Sequence, residues 1–313
     1  HFHLCTLSVA CSALSPPISR RSALGSLALP STLALPSAAT LSPAAASAAV
    51  AGEREVETTV DVSLGRGPPT RVTRRRYTGA GDPSWNYARR DLTPAVFRDW
   101  PSDFPYTGAD DFKRLDEAVD TEFYKLPKLV YHIDEGAVAA LTHFYDESIP
   151  DGSDVLDICS SWVSHFPRDF PLRMRSIVGT GISDLELQCN DQLSGHVQAD
   201  LNVAPRLPFP DRSFDVVTCC VSFDYLTRPL DVMREVRRVL RPGGSVLLSQ
   251  SNRCFFTKAV GVWTRDMSDA AHLRVLGTYI HFAGGLSPPA ATDISASGTG
   301  TNDPMYLVSA KRE

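Results

Sequence analysis

The sequence predicts an α/β protein whose C-terminal half is a doubly wound, mostly parallel sheet of the Rossmann-like class. Five short apolar runs follow one another, at residues 155–158, 176–179, 196–200, 214–220 and 245–249. Between the last two runs, Leu230, Met233, Val236 and Leu240 recur at the spacing of a buried helix face. Apolar strands that alternate with helices and turns are typical of parallel sheets with helices on both faces.

Flanking signals extend this pattern in both directions. Residues 135–146 have helical periodicity, and Asp134 stands where an N-cap is needed. Pro229 suits the first turn of the helix near residues 230–240, and Gly243 is expected to form its C-cap. Residues 306–310 predict a final strand.

The first 50 residues differ in composition from the rest of the chain. They contain no Asp or Glu, are rich in Ala, Ser, Leu and Pro, and carry the pair Arg20-Arg21. An Ala-x-Ala cleavage pattern stands at residues 46–48. We predict a transit peptide that is removed up to about Ala48, and a chloroplast address. With the apolar stretch and the Ala-x-Ala site, the twin arginine indicates the thylakoid lumen; if the arginine pair has no meaning, the peptide is an ordinary stromal transit peptide. A secretory signal peptide is a third alternative, which the odd number of Cys residues after residue 50 disfavours.

Residues 51–122 are predicted to be a linker and an N-terminal arm in front of a domain at 123–313. Arg71, Arg74, Arg75 and Arg76 form a basic run, but aromatic residues are not interleaved with it, so no nucleic-acid patch is predicted. From residue 77 onward aromatic residues are frequent, which predicts an arm packed against the main domain.

Composition narrows the classes of partner. The net charge of -5 gives no general attraction to nucleic acid or to anionic membranes. The chain after residue 50 has an odd number of Cys residues and no Cys-x-x-Cys pair, so neither a zinc site nor a disulfide framework is predicted. We expect a small-molecule substrate, no nucleic acid and no transmembrane span in the mature protein, and the sequence leaves the oligomeric state open.

Three segments carry a resemblance to a known family. They are Val155-Leu156-Asp157, the run from Leu207 to Val217 (LPFPDRSFDVV) and the run from Arg238 to Gly244 (RVLRPGG). Together they resemble the methyltransferase type 11 family of class I S-adenosylmethionine-dependent methyltransferases. The resemblance covers about residues 150–256. It extends more loosely to 123–145, which look like the lead-in of a plant and cyanobacterial subgroup.

The resemblance implies S-adenosylmethionine as cofactor and places it at the carboxyl ends of the strands. Asp157 matches the acid of the family's first motif, and Asp200 with Leu201 matches the adenine side. Val221 and Ser222 follow the fourth strand, where the family lines its cofactor pocket. The loop between the first strand and the next helix adds four candidates by position, namely Cys159, Ser160, Ser161 and Trp162.

The chain departs from the family at its glycines. Cys159, Ser161 and Val163 occupy the glycine positions of the first motif, and Gly181 stands where an acid usually ends the second strand. Four residues are candidates for the substrate side: Tyr131, His132, Tyr225 and Asn252. His132 beside Asp134 is either a base with its orienting partner or a structural histidine. No residue is assigned a catalytic role, because direct methyl transfer needs no nucleophile.

Three functions therefore stay open. The first is methyl transfer to a small-molecule or lipid-like acceptor. The second is a non-enzymatic relative that keeps the fold for binding or assembly, which the missing glycines and the missing acid favour. The third, a nicotinamide-dependent dehydrogenase, is disfavoured because Cys159-Ser160-Ser161 is not a G-x-G-x-x-G turn.

Overall fold

The computed structural model describes residues 85–297 and 303–313, together with the backbone of two strands nearer the N-terminus. These are β1 (Glu55–Val62) and β2 (Thr70–Tyr77), which pair antiparallel with Glu57 opposite Arg75. The segment expected to be a linker thus contains a β-hairpin. The expected transit peptide lies outside the described residues, so its removal stays a prediction.

A mixed sheet forms the centre of the described domain. Its strands are β3 (Arg90–Asp91), β4 (Asp154–Ile158), β5 (Ser176–Gly181), β6 (Gly195–Gln198), β7 (Phe214–Cys220), β8 (Leu240–Gln250), β9 (Ala290–Asp293) and β10 (Tyr306–Lys311). They lie in the order β3-β9-β10-β8-β7-β4-β5-β6. Strands β4 to β8 run parallel, whereas β10, β9 and β3 join antiparallel. The predicted doubly wound, mostly parallel fold is confirmed.

Helices connect these strands and flank the sheet. They are α1 (Thr93–Val96), α2 (Asp120–Phe123), α3 (Glu135–Ser148), α4 (Phe170–Arg173), α5 (Asp184–Cys189), α6 (Pro229–Val239), α7 (Gly261–Thr264) and α8 (Asp269–Ala283). The side chain of Asp134 accepts a hydrogen bond from the Ala137 amide at 3.0 Å, which caps α3 as expected. Within the described residues, no helix has both the length and the apolar character needed to cross a bilayer.

The expected C-cap at Gly243 is wrong. Helix α6 ends at Val239, and the chain enters β8 directly at Leu240 without a left-handed cap. Gly243 lies further on, with φ at 80°, and its amide donates to the Arg312 carbonyl at 2.8 Å. The glycine is therefore used where the start of β8 bends, a conformation that a side chain would strain.

The alternation of side chains along β4 explains why the sheet has two covered faces. Leu156 and Ile158 pack in one apolar cluster with α6 and α8, whereas Val155 packs in another with α3. All three side chains are fully buried. Truncation of Leu156 to Ala at such a site costs about 2–5 kcal/mol. This central strand, covered on both faces, fixes the position of the residues that follow it.

The aromatic arm packs on the domain as its composition predicts. Phe97, Phe104 and Phe112 lie against the larger apolar cluster, and β3 of the arm pairs with β9 at the edge of the sheet. A Cβ added at Gly277 of α8 would lie 2.2 Å from the Phe97 ring, so this close contact requires glycine. The arm is thus part of the folded domain.

Candidate functional site

The strand order reverses between β4 and β7, which places a crevice at their carboxyl ends. Ligands of doubly wound sheets bind at this kind of switch point. The first residue after each of the two strands has a left-handed backbone: Cys159 has φ of 53° and Val221 has φ of 37°. Such angles are uncommon for residues with a side chain and are outliers for β-branched ones. Backbone strain of this kind concentrates at ligand sites.

Asp157, near the end of β4, is buried at 3% exposure and fully engaged within the fold. Its Oδ2 accepts hydrogen bonds from the hydroxyls of Ser160 at 2.6 Å and Ser164 at 2.7 Å. Its Oδ1 accepts one from Thr218 of β7 at 2.8 Å. Burial raises the pKa of Asp157 to about 6, although the three hydroxyls act in the opposite direction. Asp157 therefore fastens the following loop and joins β4 to β7.

The loop that follows β4 is held by side chains instead of glycines. The Ser160 amide donates to the Thr180 carbonyl at 2.9 Å. The amide group of Asn190 donates to the Ser161 carbonyl at 3.0 Å and to the Ser164 hydroxyl at 2.8 Å. The next helix, α4, has four residues and starts only at Phe170. No helix N-terminus follows β4 directly, so the usual helix-end anion site of such folds is absent from this described loop.

Trp162 joins this loop to the segment that precedes α3. Its side chain is completely buried, and its Nε1 donates to the Val130 carbonyl at 3.1 Å. The Tyr131 ring stands edge-on to it, with centroids 5.1 Å apart. The two predicted site residues are thus in contact, and Trp162 presents no surface to solvent.

Gly181 ends β5 at the position where the family carries an acid. A Cβ built on Gly181 would lie 2.2 Å from the Ser160 backbone oxygen, because the β4 loop crosses the end of β5 there. The two nearby acids of α5 are engaged elsewhere. Asp184 accepts from Gln188 at 2.6 Å and lies 3.0 Å from His196, and buried Glu186 accepts from the Lys128 amide at 2.8 Å.

The turn after β6 contains Asp200 and Leu201. Asp200 Oδ1 accepts from the Asn202 amide at 2.9 Å, which forms a side-chain-supported turn, and Leu201 is buried in the apolar cluster. The Asn202 amide group donates to Asp120 Oδ2 at 2.8 Å and to the Tyr225 carbonyl at 3.0 Å. These bonds tie the turn after β6 to the turn after β7.

The turn after β7 carries the remaining cofactor candidates. The Val221 amide donates to the Ser249 carbonyl at 3.2 Å, and the Ser222 hydroxyl donates to the Cys220 carbonyl at 2.7 Å. The Tyr225 hydroxyl accepts from the Phe255 amide at 2.8 Å. Val221 and Ser222 are both half-buried, so they line the edge of the sheet.

The other substrate-side candidates lie nearer the surface. His132 is exposed, and its ring stands edge-on to Phe255 at 5.2 Å. Asp134 accepts from the amides of Ala137 and Asp303, so its carboxylate acts as a helix cap and joins two segments. Both carboxylate oxygens of Asp134 thus accept backbone amides, and the role of His132 stays a prediction. Asn252 is exposed in the loop after β8.

Residues 114–131, here named the covering segment, run across the carboxyl edge of the sheet. Arg114 donates to both oxygens of buried Asp120 at 2.8 Å, and Lys258 lies 3.3 Å from the same carboxylate. Burial acts to raise the pKa of Asp120. The hydrogen bonds from Arg114 and Asn202 have the larger combined effect, so the pKa lies below its ordinary value. This buried ionic cluster clamps the segment beside the turns after β6 and β7.

Asp224 is a residue of this edge that sequence reasoning missed. It lies in a short 3-10 turn, Phe223–Tyr225, at 3% exposure, and its Oδ1 has no hydrogen-bond partner among the described residues. The hydroxyl of Thr180, next to Gly181, is also buried without a partner there. A signal was available, since Asp224 is an acid between two aromatic residues directly after an apolar strand.

The sheet topology has the Rossmann-like arrangement of class I methyltransferases, as the motifs indicated. Residues 160–248 match the model of a methyltransferase domain family. The match runs from the loop after β4 into β8, and thus includes the turns after β4, β5, β6 and β7.

Curated relatives include the ubiquinone/menaquinone biosynthesis C-methyltransferases of Azotobacter vinelandii and Ectopseudomonas mendocina. They are 30% and 36% identical over 115 residues, which is 33% of this chain and 44% and 43% of the relatives. The chain thus spans less than half the length of these relatives. A Thermotoga maritima S-adenosylmethionine-dependent methyltransferase structure is 14% identical and covers 57% of this chain and 90% of its own, with a TM-score of 0.43.

Proposed function

We propose that the chain transfers a methyl group from S-adenosylmethionine to a small-molecule acceptor. The observation that carries this proposal is the position of the family match, which spans the crevice at the switch point of the sheet. The left-handed backbone of Cys159 and Val221 on the two sides of this crevice supports a ligand there.

Buried polar atoms at this edge fit a bound ligand. Asp224 Oδ1 and the Thr180 hydroxyl have no partner among the described residues, and buried polar groups of native proteins are nearly always hydrogen-bonded. Val221, Ser222 and the Asp200 turn would flank the adenosine, and Ser161 would approach its amino acid end. The cofactor, when bound, supplies a methyl group already activated by its sulfonium. The chain then has to bind and align the acceptor, which can contribute about 7–11 kcal/mol to catalysis.

The same site predicts weak cofactor binding. The Ser160 amide is already bonded to Thr180, and Gly181 has no room for the acid that would hold the ribose hydroxyls. Loss of a hydrogen bond to a charged group costs about 1.5–3 kcal/mol, or roughly 10-fold to 100-fold in affinity. We therefore expect binding in the micromolar to millimolar range.

Calorimetric titration with S-adenosylhomocysteine tests the proposal. Asp157→Ala should remove most of the binding, because the loop loses its anchor. Asp215→Asn is the matched control, because this carboxylate accepts from the Asp154 amide and pairs with Arg241 at the opposite end of β4. The change should lower the stability of the fold and leave the binding of S-adenosylhomocysteine unchanged. A folded wild type that binds nothing at millimolar ligand would contradict the enzymatic proposal.

A non-enzymatic binding or assembly role is the second candidate. It is favoured by the loop after β4, whose polar groups are satisfied by Asp157 and Asn190 within the fold. A folded protein without cofactor affinity in the same titration would support this role.

We also propose a chloroplast location, in the stroma or the thylakoid lumen, which rests on composition alone. The absence of acids from residues 1–50 and the Ala-x-Ala pattern at 46–48 support it. Sequencing of the mature N-terminus tests it. A start near Ala48 is expected, and a start close to Arg20 would rule out the lumenal address.

A further inference from the structure

Asp224 lies directly beside the proposed methyl-transfer site, and one of its oxygens is free. The residue follows β7 by four positions, and its backbone oxygen accepts from the Val260 amide at 3.0 Å. The main chain is therefore fixed, while Oδ1 is buried without a partner among the described residues. A buried polar atom that makes no hydrogen bond destabilises the fold, so its retention calls for an explanation.

The neighbours of Asp224 form a partly open, aromatic environment. The Tyr225 side chain hydrogen-bonds to the Asp224 carboxyl, Tyr124 and Cys254 interact with it electrostatically, and all three are half-buried. Tyr124 also interacts with Cys159, the first residue of the β4 loop. The Asp224 carboxyl therefore lies near the covering segment, through Tyr124, and near the loop after β8, through Cys254.

The charge state of Asp224 limits what it can bind. Burial raises the pKa of its carboxyl well above the usual range, although hydrogen bonds from its own backbone amide and from the Tyr225 side chain act in the opposite direction, and no described Lys or Arg forms an ion pair with it. A carboxyl accepts hydrogen bonds in either charge state, and when protonated it can also donate one. Lys128 lies 4.2 Å from the Phe123 ring centroid and 5.8 Å from that of Phe255, which disfavours a cationic acceptor at this edge.

We propose that Asp224 positions the methyl acceptor by a hydrogen bond to a hydroxyl or carbonyl oxygen on a neutral, ring-containing molecule. Tyr124, Tyr225 and Phe255 would wall this acceptor pocket; the rings of Tyr225 and Phe255 have centroids 5.9 Å apart. Aromatic walls favour a planar ring, with which they stack or make edge contacts. The inference rests on the proposed function, because it names the acceptor class of that site.

Binding of phenol and toluene to the full chain, followed by ligand-observed NMR, tests this role. Asp224→Leu should weaken phenol binding by about 10-fold or more, because the phenol hydroxyl then has no partner. Toluene binding should be unchanged or stronger. Asp224→Asn, which keeps a neutral donor and acceptor, should retain phenol binding within about 3-fold, as should the exposed control Asp110→Asn.

Two results would overturn the proposal: equal phenol affinity in the wild type and Asp224→Leu, or no phenol binding to the wild type at about 10 mM, a reasonable limit for so small a ligand. If Asp224→Leu does not fold, the proposal is tested on the wild type by the NMR resonance of the Asp224 carboxyl. Phenol, but not toluene, should then shift the side-chain carboxyl resonance of Asp224, and an unchanged resonance refutes the role. Loss of S-adenosylhomocysteine binding with intact phenol binding would contradict only the methyl-transfer function.

Discussion

Gly181 gives the sharpest test of how the site is built. A Cβ at this position would lie 2.2 Å from the Ser160 backbone oxygen, whereas real Cβ contacts are essentially never below 3.0 Å. Gly181→Ala therefore forces the β4 loop to move by at least about 0.8 Å. This movement strains the hydrogen bond from the Ser160 amide to Thr180 and the one from the Ser160 hydroxyl to Asp157.

Overpacking of this kind costs about 1–3 kcal/mol, and each strained hydrogen bond adds about 0.5–1.5 kcal/mol. We expect Gly181→Ala to lower the free energy of unfolding by about 2–6 kcal/mol. Gly181→Asp restores the acid of the family, but it should be at least as destabilised and should not improve cofactor binding.

Urea unfolding followed by tryptophan fluorescence measures this effect. Gly195→Ala in β6 is the matched control, because a Cβ there has no heavy atom within 4 Å and the residue has no positive φ. It should be neutral or stabilising by up to about 1 kcal/mol. If Gly181→Ala unfolds within about 0.5 kcal/mol of the wild type, the close crossing of the loop over β5 is refuted.

Three further changes test the β4 loop. Folding raises the pKa of Asp157 from 3.8 to about 6, so the native state binds the carboxyl proton more tightly than the unfolded state does. The free energy of unfolding should therefore fall by about 3 kcal/mol as the pH rises through this window. In urea titrations at pH 4 and pH 7, this fall should be smaller for Asp157→Asn than for the wild type, and equal falls would refute the assignment. Cys159→Gly should be about 1 kcal/mol more stable than Cys159→Ala, because only glycine tolerates φ of 53° without strain; thermal unfolding of the pair decides it. Asn190→Ala should cost about 1–3 kcal/mol by chemical unfolding, since it leaves the Ser161 carbonyl and Ser164 hydroxyl without their donor, whereas the exposed Asn252→Ala should change little.

The periodicity of the sequence was sufficient to predict the central sheet. The apolar runs at 155–158 and 214–220 became β4 and β7, and Pro229 opens α6 as expected. These elements are local, because period-2 and period-3.6 patterns decide which face is buried. The hairpin of β1 and β2 and the short strands β3 and β9 were missed. Val56, Val60 and Val62 alternate in β1, but this pattern was not used, and β3 and β9 have only two and four residues, too few for a periodic signal.

The sequence by itself determined the fold class, the family resemblance and the identity of the residues after each strand. Only the tertiary structure decided how those residues are used. Asp157 hydrogen-bonds to side chains 3, 7 and 61 positions away, and the space at Gly181 is filled by the backbone of Ser160. The free oxygen of Asp224 likewise depends on a covering segment about 100 residues earlier in the chain. Such contacts are set by packing between distant segments, which no local pattern records.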